Sequence, residues 1–421
     1  MANRWYDLLH VSEKGSPFPV QVNAEIALRE DEAFDGVFAY DAFRDAVMLR
    51  KTPPWHRGDF KPRQWTDMDD LRATSWLQEN GVRVGKGIAA DAVQSIAAER
   101  SFDSLLEYLD GLEWDGTERI DTWLRDFCGV VDSPYSRAVA RKFLCACVAR
   151  ARRPGVKFDT MLILEGDQGL RKSTIFSILG GGFFSETLAD IGTKDSREGL
   201  RGSWIIELAE LDAMSRRDAS QFKAFLATRE DKYRPPYGRR DVIMPRRCVF
   251  AGTYNPDGNG YIKDSTGGRR FWPVEARPVV DGHLDTEGLE NVRDQLFAEA
   301  CVAYENGEEL WLSGIEEVAA KTHQDDRIER DVWHEEIATW LKNGSGATTI
   351  GEIARDCLGF ESSHVTNAIQ QRIGKTLRSL GLVPKKFVQD GVATRVYATP
   401  ENHARGATIF DISKRVLVST K

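Results

Sequence analysis

Apolar residues recur at two different periods along this 421-residue chain, and the change of period divides it. Up to about residue 130 the spacing is mostly helical. Asn23 to Val47 repeats every three or four positions, broken at Asp35-Gly36, and Ala89–Arg100 and Ser104–Leu112 read as two more helices. Trp65-Thr-Asp-Met-Asp-Asp-Leu71 gathers carboxylates. Thr66 or Asp67 stands at the head of an apolar-periodic run to about Glu79, which makes a helix cap the better reading than a metal cluster. Ser136–Arg152 (SRAVARKFLCACVARAR) predicts a long amphipathic helix that Arg153-Pro154-Gly155 ends.

Beyond it the pattern shortens. Thr160-Met-Leu-Ile-Leu164, Trp204-Ile-Ile206 and Arg247-Cys-Val-Phe-Ala251 are brief apolar runs, as expected of strands buried on both faces. Helical segments near Lys172–Leu179 and Asp218–Thr228 separate them, so a parallel sheet covered on both sides is predicted. Helices follow at Gly288–Glu305 and Ile328–Lys342. Residues 351–400 have a third character. Helices Gly351–Leu358 and His364–Leu380 precede two strand-like runs, Lys385–Val388 and Thr394–Ala398, around the Gln389-Asp390-Gly391 turn. Two helices and a hairpin outline a winged helix. The expected organisation is a mostly helical region 1–130, an α/β domain 131–320 with helical flanks, a winged helix 328–400 and a tail 401–421.

Composition narrows the class. Hydrophobic residues at 41% suffice for a sizeable core, and no run approaches eighteen uncharged apolar residues, so no membrane span is expected. The start, MANRWYDLLH, lacks an apolar signal core, and six scattered cysteines suggest reduced thiols; a cytoplasmic protein is expected. Cys145 and Cys147 fall in the apolar helix and are read as packing residues. The seven histidines form no ligand-spaced pair. A net charge of −8 argues against general coating by nucleic acid but leaves room for local basic grooves.

Chemistry concentrates after the first predicted strand. Gly166, Asp167, Gln168, Gly169, Leu170, Arg171, Lys172, Ser173 and Thr174 read as a phosphate-binding loop running into a helix. Two glycines relax the turn, and the helix N-terminus offers unpaired N–H groups and its dipole to an anion. Lys172 is expected to reach the β- and γ-phosphates of ATP, and Ser173 to ligate Mg²⁺. The pattern expects glycine at 171, where this chain carries Arg171; a positive φ there would be a strain. That departure bears on hydrolysis more than on binding.

A carboxylate is then needed at the end of a neighbouring strand. Glu207 and Glu210 in Trp204-Ile-Ile-Glu-Leu-Ala-Glu210 are assigned to Mg²⁺ and to the attacking water, in roles that could be exchanged. Asn255, after the third strand, can sense the γ-phosphate. Arg269 and Arg270, in a Gly-containing loop, suit an arginine finger given to a neighbouring subunit; the alternative is a loop whose arginines pair with nearby acids.

Two stretches are basic within an acidic chain. Arg229–Arg247 holds seven Lys/Arg against three acids, with Tyr233, Pro235, Pro236 and Tyr237 among them, a combination suited to single-stranded DNA. Arg234, Arg239 and Arg240 are its candidate contacts, on a hairpin that a ring could project into its pore. The 351–400 segment also holds seven against four, with Arg372, Lys375 and Arg378 on its second helix and Lys385, Lys386 and Arg395 on its wing as candidate DNA contacts.

Taken in order, GDQGLRKST, WIIELAEL, KYRPPYGR, FAGTYNPDG and DSTGGRRFWPV resemble the virulence-associated protein E family, and Leu112–Trp123 (LEWDGTERIDTW) resembles its pre-ATPase signature. The resemblance spans residues 20–320. It implies a P-loop, AAA+-like ATPase core, similar to superfamily 3 and phage primase-helicases, encoded by a phage or mobile element. It also implies a hexameric ring acting on single-stranded or forked DNA in replication, and no toxin. No clustered-acid polymerase site is visible in 1–130, so priming would need a separate primase chain. The rival expectation is a non-motor protein whose nucleotide only gates DNA binding, with regulation of replication or phage interference as the outcome.

Overall fold

The protein is described from a computed structural model, which covers residues 4–186, 193–208, 216–234, 240–256, 261–262, 268–328, 331–342, 347–389, 392–401, 409–411 and 416–418. Two units emerge: Met1–Asp257 with Ile262–Asp326, and Gly258–Tyr261 with Arg327–Lys421. The sequence boundary expected near residue 130 lies inside the first.

The first unit starts with helix α1 (Gln21–Glu30) and strands β1 (Phe38–Asp41), β2 (Ala46–Leu49) and β3 (Arg63–Gln64), an antiparallel sheet. Here the helix expected to reach Val47 fails. After Asp35-Gly36 the burial period falls to two: Val47 and Leu49 are buried between half-buried neighbours, so the segment pairs as a hairpin, Phe38 opposite Leu49. Helices α2 (Asp67–Glu79) and α3 (Lys86–Glu99) complete this part, and Phe34, Phe38, Leu77 and Ile96 share its core. The carboxylate cluster is indeed a cap. Thr66 N–H and Oγ1 both donate to Asp69 Oδ2, at 2.9 and 2.7 Å, and Arg63 grips the same carboxylate at 2.6 and 2.8 Å.

Helices α4 (Ser104–Asp110) and α5 (Trp123–Cys128) lead to α6 (Pro134–Arg152). Helix α6 was expected to be amphipathic, yet it is buried almost all round. Phe143 to Val148 are fully enclosed, Cys145 and Cys147 among them. Its buried cations have partners: Lys142 donates to Glu308 at 3.2 Å and Arg150 to the Phe158 carbonyl at 2.7 Å.

The central sheet is built from β4 (Met161–Glu165), β5 (Phe184–Ser185) and β6 (Ile205–Leu208), with helices α7 (Lys172–Gly180), α8 (Lys194–Glu198) and α9 (Arg216–Ala227) between and after them. Hairpin strands β7 (Glu230–Tyr233) and β8 (Val242–Pro245) come next, then β9 (Val249–Tyr254) and β10 (Phe271–Glu275), and finally helices α10 (Thr286–Glu305) and α11 (Ile315–Asp325). The sheet order is β10-β4-β9-β6-β5 and every pairing is parallel, as the alternation of strands and helices predicted. Strand β10 escaped the sequence reading because Pro273 sits inside it. Its place at the sheet edge tolerates the missing N–H. Helix α10 also holds the Leu112–Trp123 segment: Glu299 accepts the Arg119 and Ile120 N–H groups at 2.6 and 3.0 Å. Burial pushes the Glu299 carboxyl above its ordinary value, against those two hydrogen bonds.

In the second unit, helix α12 (His334–Lys342) is shorter than the Ile328–Lys342 expected. Asp331 forms the turn that starts it, accepting from the Trp333 and His334 N–H groups. Strand β11 (Ala347–Thr349) runs into α13 (Ile350–Glu352), which continues as a π turn through Cys357, and α14 (Asn367–Ser379) follows. Strands β12 (Val383–Gln389) and β13 (Val392–Ala398) form a hairpin, and β11 pairs on the other side of β13, all antiparallel. Ile337, Ile353, Ile373, Leu377 and Tyr397 make this unit's core. Two short tail strands, Ile409–Asp411 and Val416–Val418, pair with each other. Among the described residues no helix is long and apolar enough to cross a membrane.

Candidate functional site

Strand β4 is buried along its whole length and ends at Glu165. The loop that follows turns with φ of +155° at Gly166 and +88° at Gly169, and α7 begins at Lys172. A side chain at Gly166 would put its Cβ 2.8 Å from the Ala276 carbonyl oxygen, so glycine is what lets residue 276 pass beside the loop. Arg171 has φ 67° and ψ 34°, the left-handed conformation the sequence pattern assigns to glycine. That conformation costs an arginine about 1–2 kcal/mol, which the surrounding loop must offset.

The Lys172 amine folds back over this loop. It donates to the carbonyls of Gly166 and Asp167 and to Asn255 Oδ1, each at 2.8 Å. Burial pushes its pKa below the ordinary lysine value, against the pull of the Asp167 and Glu207 carboxylates. Glu207 is buried at 2% exposure, and both the Ser173 and Thr253 hydroxyls donate to its Oε1 at 2.7 Å. The sheet order explains this convergence. Strand β9 lies between β4 and β6, so Glu165 stands opposite Tyr254 and Leu208 opposite Gly252. Residues from three distant segments therefore meet at the C-terminal edge of the sheet, beside a helix N-terminus that offers its N–H groups to an anion.

Ser173 and Glu207 present a hydroxyl and a carboxylate side by side, hard oxygen donors that suit Mg²⁺. Among the described residues no three His, Cys, Asp or Glu side chains gather as a metal centre. A divalent ion here would complete its shell with water and with phosphate oxygens of a bound nucleotide. Thr253 was not singled out as a site residue. Its signal was its position at the end of the same predicted strand that leads to Asn255. His283 was missed as well: its Nδ1 lies 3.2 Å from the Gly169 carbonyl, brought there by a turn far along the chain.

Other expected residues are placed as follows. Glu210 and Arg239, with Pro235–Tyr237, lie outside the described residues. Arg269 and Arg270 sit before β10, and Phe271 pairs with Met161, so they stand at the opposite end of the sheet, roughly 15 Å of strand from the loop. Both face Asp159, at the long distances of 3.8 and 3.5 Å, and Arg269 is largely exposed. Arg234 and Arg240 are exposed at the far end of the β7–β8 hairpin. Tyr233, expected among the base-stacking aromatics, is buried instead, because alternation along β7 turns it inward under the Arg201 guanidinium. The hairpin base is pinned by Arg246, which forks onto Asp231 at 2.5 and 2.9 Å and stacks on Phe225. In the second unit Arg372 is held by Asp331 at 2.6 Å and lies over Trp333, a structural engagement. Lys375, Arg378, Lys385, Lys386 and Arg395 are exposed, and Lys386 stands directly opposite Arg395.

A family model for the virulence-associated protein E-like domain matches residues 109–329, more than half of the chain. This chain belongs to that family. The virulence-associated protein E-like span takes in the whole central sheet, the loop, Glu207, Asn255 and the arginine pair, and leaves out the N-terminal hairpin and most of the second unit. Among solved structures, the chain is similar to an A form apo structure of the NrS-1 C-terminal region (305–718): 10% identity, 86% of this chain and 96% of that one covered, TM-score 0.47. Another apo structure of the same region matches at 9% identity, with 86% and 95% covered and a TM-score of 0.44. None of the curated proteins matches the chain.

Proposed function

We propose that this protein is an ATP-dependent, ring-forming DNA helicase or translocase acting in the replication of a phage or mobile element. The observation that carries the reading is the convergence of Lys172, Asn255, Ser173 and Glu207 on one loop at one sheet edge. The strand order, 5-1-4-3-2 when the five strands are numbered along the chain, supports an AAA+-like core. The second unit's helices and hairpin support a winged helix.

In this reading the loop N–H groups and Lys172 hold the β- and γ-phosphates of ATP. Lys172 exchanges its bonds to Gly166 and Asp167 for phosphate oxygens, while Asn255 keeps the amine aligned and senses the γ-phosphate. Ser173 and Glu207 hold Mg²⁺, which when bound neutralises phosphate charge. Glu210 orients the attacking water. Arg269 and Arg270 reach the site of the next subunit. Their distance from their own loop and their long contacts to Asp159 support that role, which needs a ring; the family resemblance makes a hexamer the expected one. Arg234, Arg239 and Arg240 contact single-stranded DNA. Lys375, Arg378, Lys385, Lys386 and Arg395 contact duplex or forked DNA; two cations directly opposite each other repel, and a polyanion relieves that. Any priming would come from a separate chain, and the motor would act in the host cytoplasm.

The second reading is a nucleotide-gated DNA binder without motor activity, favoured by the strained Arg171. DNA-stimulated ATPase of the wild type and of Lys172→Ala separates the two: the motor turns over ATP faster on DNA and loses this with Lys172, whereas the gate binds DNA without stimulated turnover.

A further inference from the structure

The phosphate loop has a rim that the proposed chemistry does not use. Val280-Asp281-Gly282-His283 is a two-residue turn in which Asp281 and Gly282 have φ of +48° and +79°. Positive φ at both central residues is what Asp-Gly hairpin turns adopt. Val280 and His283 bridge each other, and the Val279 N–H donates to the His283 carbonyl at 2.8 Å. This small hairpin is tied to the loop twice, through His283 Nδ1 and the Gly169 carbonyl at 3.2 Å and through the Leu284 N–H and the Leu170 carbonyl at 3.2 Å.

A second segment closes the rim from the N-terminal side. The Cys128 carbonyl accepts the Arg277 N–H and the Phe127 carbonyl accepts the Asp285 N–H, both at 2.9 Å. Between them Gly129 (φ +63°) passes so close that a Cβ would stand 2.3 Å from the Arg277 carbonyl oxygen. Two residues on, Val131 is fixed by the Ser136 hydroxyl, which donates to its carbonyl at 2.9 Å.

These tethered segments expose three valines, Val131 at 58%, Val279 at 41% and Val280 at 47%, while Val130, Ala276 and Leu284 between them are buried. Single exposed valines are ordinary. Three on segments tethered to one another and to the loop are a different matter: those hydrogen bonds hold all three beside the anion cradle. A ligand that fits both parts carries phosphates at one end and a flat group with apolar faces at the other.

We infer that Val131, Val279 and Val280, with His283 at their edge, are the shelf on which the nucleobase of the bound nucleotide lies. The inference rests on the nucleotide reading above. The valine methyl groups cover a face of the base, and the His283 ring meets its polar edge or stacks on it while its Nδ1 stays on Gly169.

Calorimetry on the 421-residue chain with Mg²⁺, comparing ATP with inorganic tripolyphosphate, tests this. The wild type is expected to bind ATP at least tenfold more tightly than tripolyphosphate. The exposed double substitution Val131→Ser, Val280→Ser is expected to cut ATP affinity about tenfold and leave tripolyphosphate affinity unchanged; His283→Ala is expected to act in the same direction. Lys172→Ala weakens both ligands. If the wild type binds the two ligands equally, or the double variant keeps wild-type ATP affinity, the shelf is overturned while the phosphate site stands. If neither ligand binds the wild type, the nucleotide reading falls and takes the shelf with it.

Discussion

Lys172 and Asn255 lie 83 positions apart in the chain and meet through a 2.8 Å hydrogen bond from amine to side-chain amide. The bond exists because β9 enters the sheet between β4 and β6, and it makes Asn255 the partner that aims the amine. Asn255→Ala is expected to leave ATP affinity within a few-fold and lower kcat by on the order of 10²-fold, the scale for losing one aligned polar group in a closed site. Steady-state turnover together with calorimetric ATP affinity checks the split.

The low pKa of Lys172 gives a pH signature. Burial disfavours its charged form in the free protein, and bound phosphates favour it. Binding therefore takes up a proton once the pH exceeds the free-state value, and ATP affinity falls with rising pH from there upward. An ordinary lysine would hold that affinity to higher pH. Calorimetry in buffers of different ionisation enthalpy should register the uptake at alkaline pH, and Lys172→Met should abolish it.

Arg171 stores strain at the start of α7. Glycine relieves the left-handed penalty of about 1–2 kcal/mol but costs unfolded-chain entropy of about 0.4–1 kcal/mol. Arg171→Gly is thus expected to be neutral to stabilising, by up to about 1.5 kcal/mol in denaturant melts, with nucleotide binding kept.

At the base of the basic hairpin, Arg246 and Asp231 are buried together at 3% and 4% exposure. Removing one partner strands the other charge. Asp231→Ala is expected to cost about 3–5 kcal/mol in chemical denaturation. Replacing the exposed Lys232 should change stability by less than about 0.5 kcal/mol. Equal effects at the two positions would contradict the buried pair.

On the second unit, Lys386→Glu with Arg395→Glu is expected to weaken DNA binding evenly across sequences and to reduce the slope of log affinity against log salt by about one per lost phosphate contact. Fluorescence anisotropy over a salt series measures it. Arg372→Ala is expected to act first on the unit's melting, since its charge is already spent on Asp331 and Trp333.

The parts of this fold that could be read from residue order are those where local chemistry and tertiary packing agree. The run Met161–Glu165, its glycines and Lys172 formed a strand, a turn and a helix because burial, φ and dipole all favour the same outcome there. The Thr66–Asp69 cap was legible for the same reason. Tertiary context decided the rest. Residues 38–49 became a hairpin since a partner strand satisfies the period of two along Ala46–Leu49, and Pro273 fits a strand only because β10 lies at an edge. Tyr233 went inward by alternation that a composition count cannot register. Glu207 and Asn255 were named from sequence, but Thr253 and His283 reach the site only through the strand order and an Asp-Gly turn over a hundred residues from the loop.

ATP turnover by the 421-residue chain with and without single-stranded DNA, for the wild type and for Lys172→Ala, tests the motor most directly. Mg²⁺-dependent hydrolysis that DNA accelerates and that Lys172→Ala abolishes is the expected result. DNA binding with no DNA-stimulated turnover in the wild type, or turnover that survives the loss of Lys172, would contradict it.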